Sequence, residues 1–105
     1  MLLQSSKLPI DEDDVALLFE DLYLGRSVVP PHSVPSRPQL IRWDPSKPLV
    51  IENCVVFDFA EAEKHSKECL GDERRRPAEV WGDQVQRIVD KNALEVDNYR
   101  AWVGL

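Results

Sequence analysis

Six of the eight prolines in this chain stand between Val28 and Pro48, at positions 30, 31, 35, 38, 45 and 48. Proline removes a backbone donor and clashes with the preceding turn, so neither a helix nor a central strand can run through this stretch. The spacing predicts an extended or polyproline II connector over 28–48, with the apolar run Gln39 to Trp43 as an edge strand or an anchor laid on the core. The chain is thereby cut into an amino-terminal segment and a carboxy-terminal segment, and the latter must supply most of the core.

On the amino-terminal side, Val15, Leu18, Phe19 and Leu22 recur at i, i+3, i+4 and i+7, which predicts an amphipathic helix over 11–24. The acids at 11–14 suit the positive end of a helix dipole, and Gly25 suits the left-handed residue beyond the last turn. On the carboxy-terminal side, Leu49 to Phe59 is rich in β-branched and aromatic residues. It reads as a strand, or as a hairpin if Glu52 and Asn53 form a turn or bulge. Val55, Phe57 and Phe59 would share one face and Cys54, Val56 and Asp58 the other. Ala60 to Leu70 favours helix and stops at Gly71. Pro77 fits the first turn of a helix reaching about Asn92, with Trp81, Val85, Ile88 and Val89 as its apolar stripe. Leu94 to Val103 reads as a further short helix. With 105 residues and 43% apolar content the chain has material for one core. The expectation is a single α+β domain over 1–105, in which a strand-plus-helices core at 49–103 packs a short strand or hairpin against two to four helices.

The formal charge of −6 argues against general binding to nucleic acid or anionic membranes, which need a positive field. No apolar run approaches a membrane span, and the first nine residues lack the charged and apolar regions of a signal peptide. Cys54 and Cys69 make no disulfide framework, so the expected setting is intracellular, cytoplasmic or nuclear, with both thiols free. The charge is unevenly placed. Residues 1–25 carry six acids against Lys7, whereas 26–48 carry Arg26, Arg37, Arg42 and Lys47 against Asp44.

Two segments have the pattern of docking elements. Val15, Leu18, Phe19 and Leu22, framed by Asp13 and Asp14, suit a helix laid in a basic-rimmed groove. Over about ten residues they resemble the hydrophobic boxes of acidic transcriptional activation segments, and with Leu24 a leucine-rich nuclear export signal. A first helix packed on its own core shows the same periodicity. Arg42, Trp43, Pro45 and Pro48 lie in a run, RWDPSKP, that resembles the R-x-x-P-x-x-P ligands of SH3 domains; a linker pinned by Trp43 is the structural alternative.

Chemistry-bearing groups are sparser. Asp58, Glu61, His65, Cys69 and Cys54 form the best metal-like grouping, yet they lack a recognised ligand spacing, and a solvated helix face with Glu, His and Cys at i, i+4 and i+8 looks the same. No nucleophile elbow or phosphate-binding glycine loop is present. Arg74-Arg75-Arg76 is a compact basic spot, but Asp72, Glu73 and Glu79 flank it and cancel much of its field, so a solvated loop explains it better than a nucleic-acid contact does. The functional expectation is a small acidic, non-enzymatic adaptor or regulatory protein that binds a larger protein partner, without metal, cofactor or small-molecule substrate. A metal-binding protein or small enzyme using the Cys/His/carboxylate cluster, and a nucleic-acid-binding accessory protein, are the alternatives.

Overall fold

The computed structural model describes residues 10–71 and 74–103. The expectations placed on residues 1–9 and on Asp72 and Glu73 lie outside the described residues. Helix α1 begins at Glu12–Ala16, where Asp11 and Asp14 cap each other's backbone N–H at 2.9 and 3.3 Å, and it continues as a wide π-type turn over Leu17–Leu22. Strands β1 (Pro38–Arg42) and β2 (Cys54–Asp58) pair antiparallel, and a 3₁₀ turn at Ile51–Asn53 leads into β2. Helix α2 (Phe59–His65) runs on through a second wide turn at Ser66–Leu70. The short α3 (Pro77–Trp81) and the long α4 (Asp83–Val103) complete the chain. The domain is α+β, a two-stranded hairpin with four helices.

Strand β2 is the centre of the core. Cys54, Val55, Val56 and Phe57 are all buried, because helices and connector cover both faces of this strand and the alternation of a half-exposed strand is lost. Its partner is not the segment before Glu52, as a local hairpin would have it. The partner is β1, from within the proline-rich connector, with Gln39 opposite Phe57 and Ile41 opposite Val55. Pro38 opens that strand, the position where a missing N–H costs least.

The connector is folded rather than extended throughout. Pro30 and Pro31, joined by a cis peptide, occupy the centre of a turn closed by the His32 N–H donating to the Val29 carbonyl at 2.8 Å. Val28 is fully buried and donates to the Val56 carbonyl at 2.9 Å, closing the far edge of β2. The long β1–β2 loop is organised by Asn53. Its amide donates to the carbonyls of Asp44 (2.9 Å) and Pro48 (3.0 Å), and its carbonyl accepts from the Asp44 N–H (3.0 Å).

Two helix boundaries differ from the sequence expectation. The helix expected over 77–92 breaks at Gly82, whose φ of +99° and ψ of 160° are open to glycine and strained for any L residue. Beyond it nothing interrupts α4 through the expected gap near Asn92. In α1 the wide turn inserts an extra residue per turn, so Tyr23 as well as Leu18 is buried, while Phe19 and Leu22 are partly buried against the core. The stripe proposed for docking therefore faces the domain's own interior, and Leu18 is 1% exposed. Val15, at 39%, is the member left open to solvent.

Leu18→Ala should lower unfolding stability by about 2–4 kcal/mol in urea titration, whereas Val15→Ala should stay within about 0.5 kcal/mol. Equal small effects would place Leu18 on a free surface and contradict this packing.

Candidate functional site

The most elaborated polar arrangement surrounds His65, which helix α2 carries on the same inward face as Ala62 and Cys69. The imidazole is completely buried. Its Nε2 lies 2.9 Å from the Trp43 carbonyl and 3.1 Å from that of Arg42, and Trp81 Nε1–H donates to its Nδ1 at 2.9 Å. These partners require the neutral tautomer with hydrogen on Nε2, since both carbonyls can only accept and the indole can only donate. Trp43 stacks on the ring at 5.3 Å between centroids, and Phe57 packs against it at 5.0 Å and against Trp81 at 5.1 Å. Burial holds the imidazole below its ordinary pKa, against the opposing pull of the two carbonyls.

The residues proposed to hold a metal serve other ends. Glu61 caps α2 by accepting from the Asp58 N–H at 2.8 Å and also accepts the Ser27 hydroxyl at 2.6 Å, which ties the connector to the helix. Asp58 accepts from the Arg37 N–H at 3.2 Å. The Cys54 thiol faces the Val50 carbonyl at 3.3 Å and is pushed up to about 11, chiefly by burial; burial raises Cys69 as well. Both are free thiols without the depressed pKa that marks a reactive cysteine. Among the described residues no group of three or more His, Cys, Asp or Glu could hold a metal ion, and no helix is long and apolar enough to cross a membrane.

The segment read as an SH3-type ligand is also engaged internally. Trp43 is buried, with its Nε1–H donating to Gln86 Oε1 at 3.0 Å on α4, and Arg42 lies in β1. Asp44 to Lys47 form a turn, closed at 3.1 Å and braced by Ser46 on the Asp44 carboxylate, so Pro45 and Pro48 do not lie on one polyproline II ridge. A flexible loop can present an extended motif; this one is held bent by Asn53. Asp13 and Asp14 remain at the exposed start of α1, and Asp14 is engaged in its cap.

The surface feature that periodicity did not single out is the far end of α4. Val85, Val89 and Val96 bury the inner stripe of this helix, whereas Leu94, Tyr99 and Trp102 are 60%, 47% and 73% exposed. Tyr99 and Trp102 are one turn apart and form an apolar patch beyond the part of α4 that the core covers. Their signal in the sequence is irregularity: Leu94 and Trp102 fall off the stripe of Val85 and Val89, whereas Tyr99 continues it one turn past Val96.

No family model matches the chain, and no solved structure matches it. A similar curated protein is tRNA threonylcarbamoyladenosine dehydratase 2 of Saccharomyces cerevisiae, 31% identical over 96 residues that make up 90% of this chain and 21% of that protein. The chain thus spans about a fifth of the length of the relative it matches.

The buried imidazole gives stability a defined pH dependence. The unfolded chain takes up the histidine proton near pH 6.5, while the folded chain takes it up at lower pH, so this contribution is complete above 6.5 and declines as pH falls below it. The urea midpoint of the native chain should fall between about pH 7.5 and pH 5.5, and His65→Gln, less stable at the upper pH, should show a flatter profile. Trp81→Phe removes the N–H that opposes a proton on Nδ1, so the His65 pKa read by NMR should rise.

Proposed function

We propose that this chain is a non-catalytic accessory domain that docks, inside the cell, on a larger polypeptide of the tRNA threonylcarbamoyladenosine dehydratase kind. The observation that carries this reading is the exposed Tyr99 and Trp102 at the end of α4, with Leu94 exposed on the same helix before Val96. Large apolar side chains exposed along one helix are costly to leave in water and are typical anchors of protein interfaces. The comparison suggests the occupant. In the yeast protein the matching segment adjoins some four fifths of further chain, which offers a surface of the required size.

Chemistry supports a docking role over an enzymatic one. The best-placed ionisable groups, His65, Glu61 and Asp58, hold the fold together through bonds to backbone and to Ser27, leaving none poised as an acid, base or nucleophile. The two buried free thiols accord with a reducing cytoplasm or nucleus. The acidic start of α1 is a supplementary contact in this reading, with Asp13 able to meet a basic rim. Docking through Leu18, Phe19 and Leu22 would require α1 to leave the core.

A chimera of the yeast dehydratase carrying this chain in place of its matching 96 residues tests the proposal. It should keep dehydratase activity, while Leu94→Asp with Trp102→Asp should reduce activity by at least about tenfold without shifting the melting temperature of the isolated domain. An inactive chimera, or full activity of the double variant, overturns the docking role. Turnover of the modified tRNA by the isolated chain overturns the non-catalytic one.

A further inference from the structure

Arginine lines a cavity beside the Arg74–Arg76 loop and another beside Arg26, and these differ in whether the positive charge is already neutralised. Beside the Arg74–Arg76 loop lies an opening of about 440 Å³. There Arg75 is paired with Glu68 at 2.6 Å and Arg76 with Glu79 at 3.5 Å, and Asp44 forms part of the wall. An anion entering it would compete with three carboxylates. The second cavity, of about 320 Å³, lies between α4 and the loop that leaves α1. Arg26, His32, Lys91 and Asn92 line it over a floor that includes Tyr23 and Ile88, and among the described residues no Asp or Glu lines it.

The charge of this second cavity is unspent. Arg26 makes a long contact of 3.4 Å with the His32 carbonyl, and neither Arg26 nor Lys91 has a carboxylate partner among the described residues. Both side chains belong to exposed residues and can reach a ligand. His32 Nδ1 lies 3.0 Å from the Ser27 carbonyl, which must receive a hydrogen from it, so Nε2 keeps its bonding capacity. The Asn92 amide sits beside the buried Tyr23 hydroxyl, which makes no hydrogen bond of good geometry among the described residues. The wall itself is held firmly. His32 keeps a φ of +62°, uncommon outside glycine and asparagine, fixed by the Val29 turn and by its ring contact to Ser27.

We propose that this cavity binds the phosphate of a nucleotide-sized phosphate ester, with Arg26 and Lys91 on the phosphate oxygens and Tyr23 and Ile88 beneath the organic body. Guanidinium and ammonium groups at the rim of a concave apolar site attract phosphate more strongly than the same groups on an open surface, because the low-dielectric walls focus their field. The volume falls at the lower end of small-ligand pockets, enough for one nucleotide. The residues concerned are separate from Leu94, Tyr99 and Trp102, so the inference stands or falls independently of the docking role.

Calorimetric and NMR titrations of the full chain with inorganic phosphate, AMP and a single-stranded RNA of about ten nucleotides test it. AMP should saturate at millimolar concentration or below, more tightly than inorganic phosphate, with amide shifts centred on 22–32 and 88–92. Arg26→Glu with Lys91→Glu should weaken AMP at least about tenfold at unchanged melting temperature. Trp102→Asp alone, eleven residues along α4 from Lys91, should leave AMP affinity unchanged. RNA binding more tightly than AMP would assign the phosphate to a polynucleotide, and AMP equal to or tighter than RNA would assign it to a free nucleotide; either supports the site. Absence of saturable binding, AMP no tighter than inorganic phosphate, or affinity retained in the Arg26/Lys91 double variant overturns it. So does a loss of AMP affinity in Arg74→Ser.

Discussion

A neutral imidazole has one donor and one acceptor, and in this domain both are committed to segments that no covalent neighbour brings together. Through His65, helix α2 grips the end of β1 at Arg42 and Trp43 and the last turn of α3 at Trp81. A two-stranded hairpin is marginal on its own, and α3 has five residues, fewer than an isolated helix needs. These elements persist because Trp43, Phe57 and Trp81 close around the ring and exclude water. Each bond contributes modestly, about 0.5–1.5 kcal/mol net, but a buried nitrogen left without its partner costs about 1–3 kcal/mol. The arrangement therefore favours one assembly chiefly by making the alternatives expensive.

Asn53 does for the long β1–β2 loop what His65 does for the helices. Both are buried polar side chains whose partners are mostly backbone groups, so they constrain the path of the chain more than the identity of its neighbours. Ser27 and Glu61 add a third fastening, from the connector to the start of α2. The three share a logic. Outside β1, a connector with this much proline cannot satisfy itself through a regular ladder, and side chains take over the accounting of backbone donors and acceptors.

What was legible in the sequence was local. The stop at Gly71, the start at Pro77, the strand around Val55 and the stripe of α1 follow from propensity and period, and the α+β class follows from them. Three features escaped for physical reasons. The partner of β2 depends on long-range pairing that local pattern does not encode. The wide turn in α1 shifts the buried face by a residue and brings in Tyr23, which a fixed 3.6 period does not allow. Gly82 stands inside an otherwise helical apolar pattern, and only its backbone conformation, which local period does not report, ends a helix there. For the site, Glu61, His65 and Cys69 stand at i, i+4 and i+8, a spacing that fits a solvated ladder as readily as a ligand set. The stripe Ala62, His65, Cys69 would have revealed the buried imidazole, had histidine been counted with the small and apolar residues.

Helix α4 joins the three regimes of this domain in one element. Its first half is fastened to the core by Val85, Val89 and the Gln86 contact to Trp43, which itself stacks on His65. Lys91 and Asn92 follow at the mouth of the cation-lined cavity, and beyond Val96 the helix carries its apolar residues outward. A rigid helix rises about 1.5 Å per residue, so Tyr99 and Trp102 stand two to three turns beyond the cavity on a single rod. The local charge follows the same order. Lys91 has no carboxylate partner among the described residues although the chain carries a net −6, because its neighbours across the cavity are Arg26 and His32 from the connector and not the acids of α1. Positive potential is thus concentrated where connector and helix meet, and apolar surface where the helix leaves the core. A chain acidic overall can in this way offer one concave surface to an anion and a separate convex one to a protein.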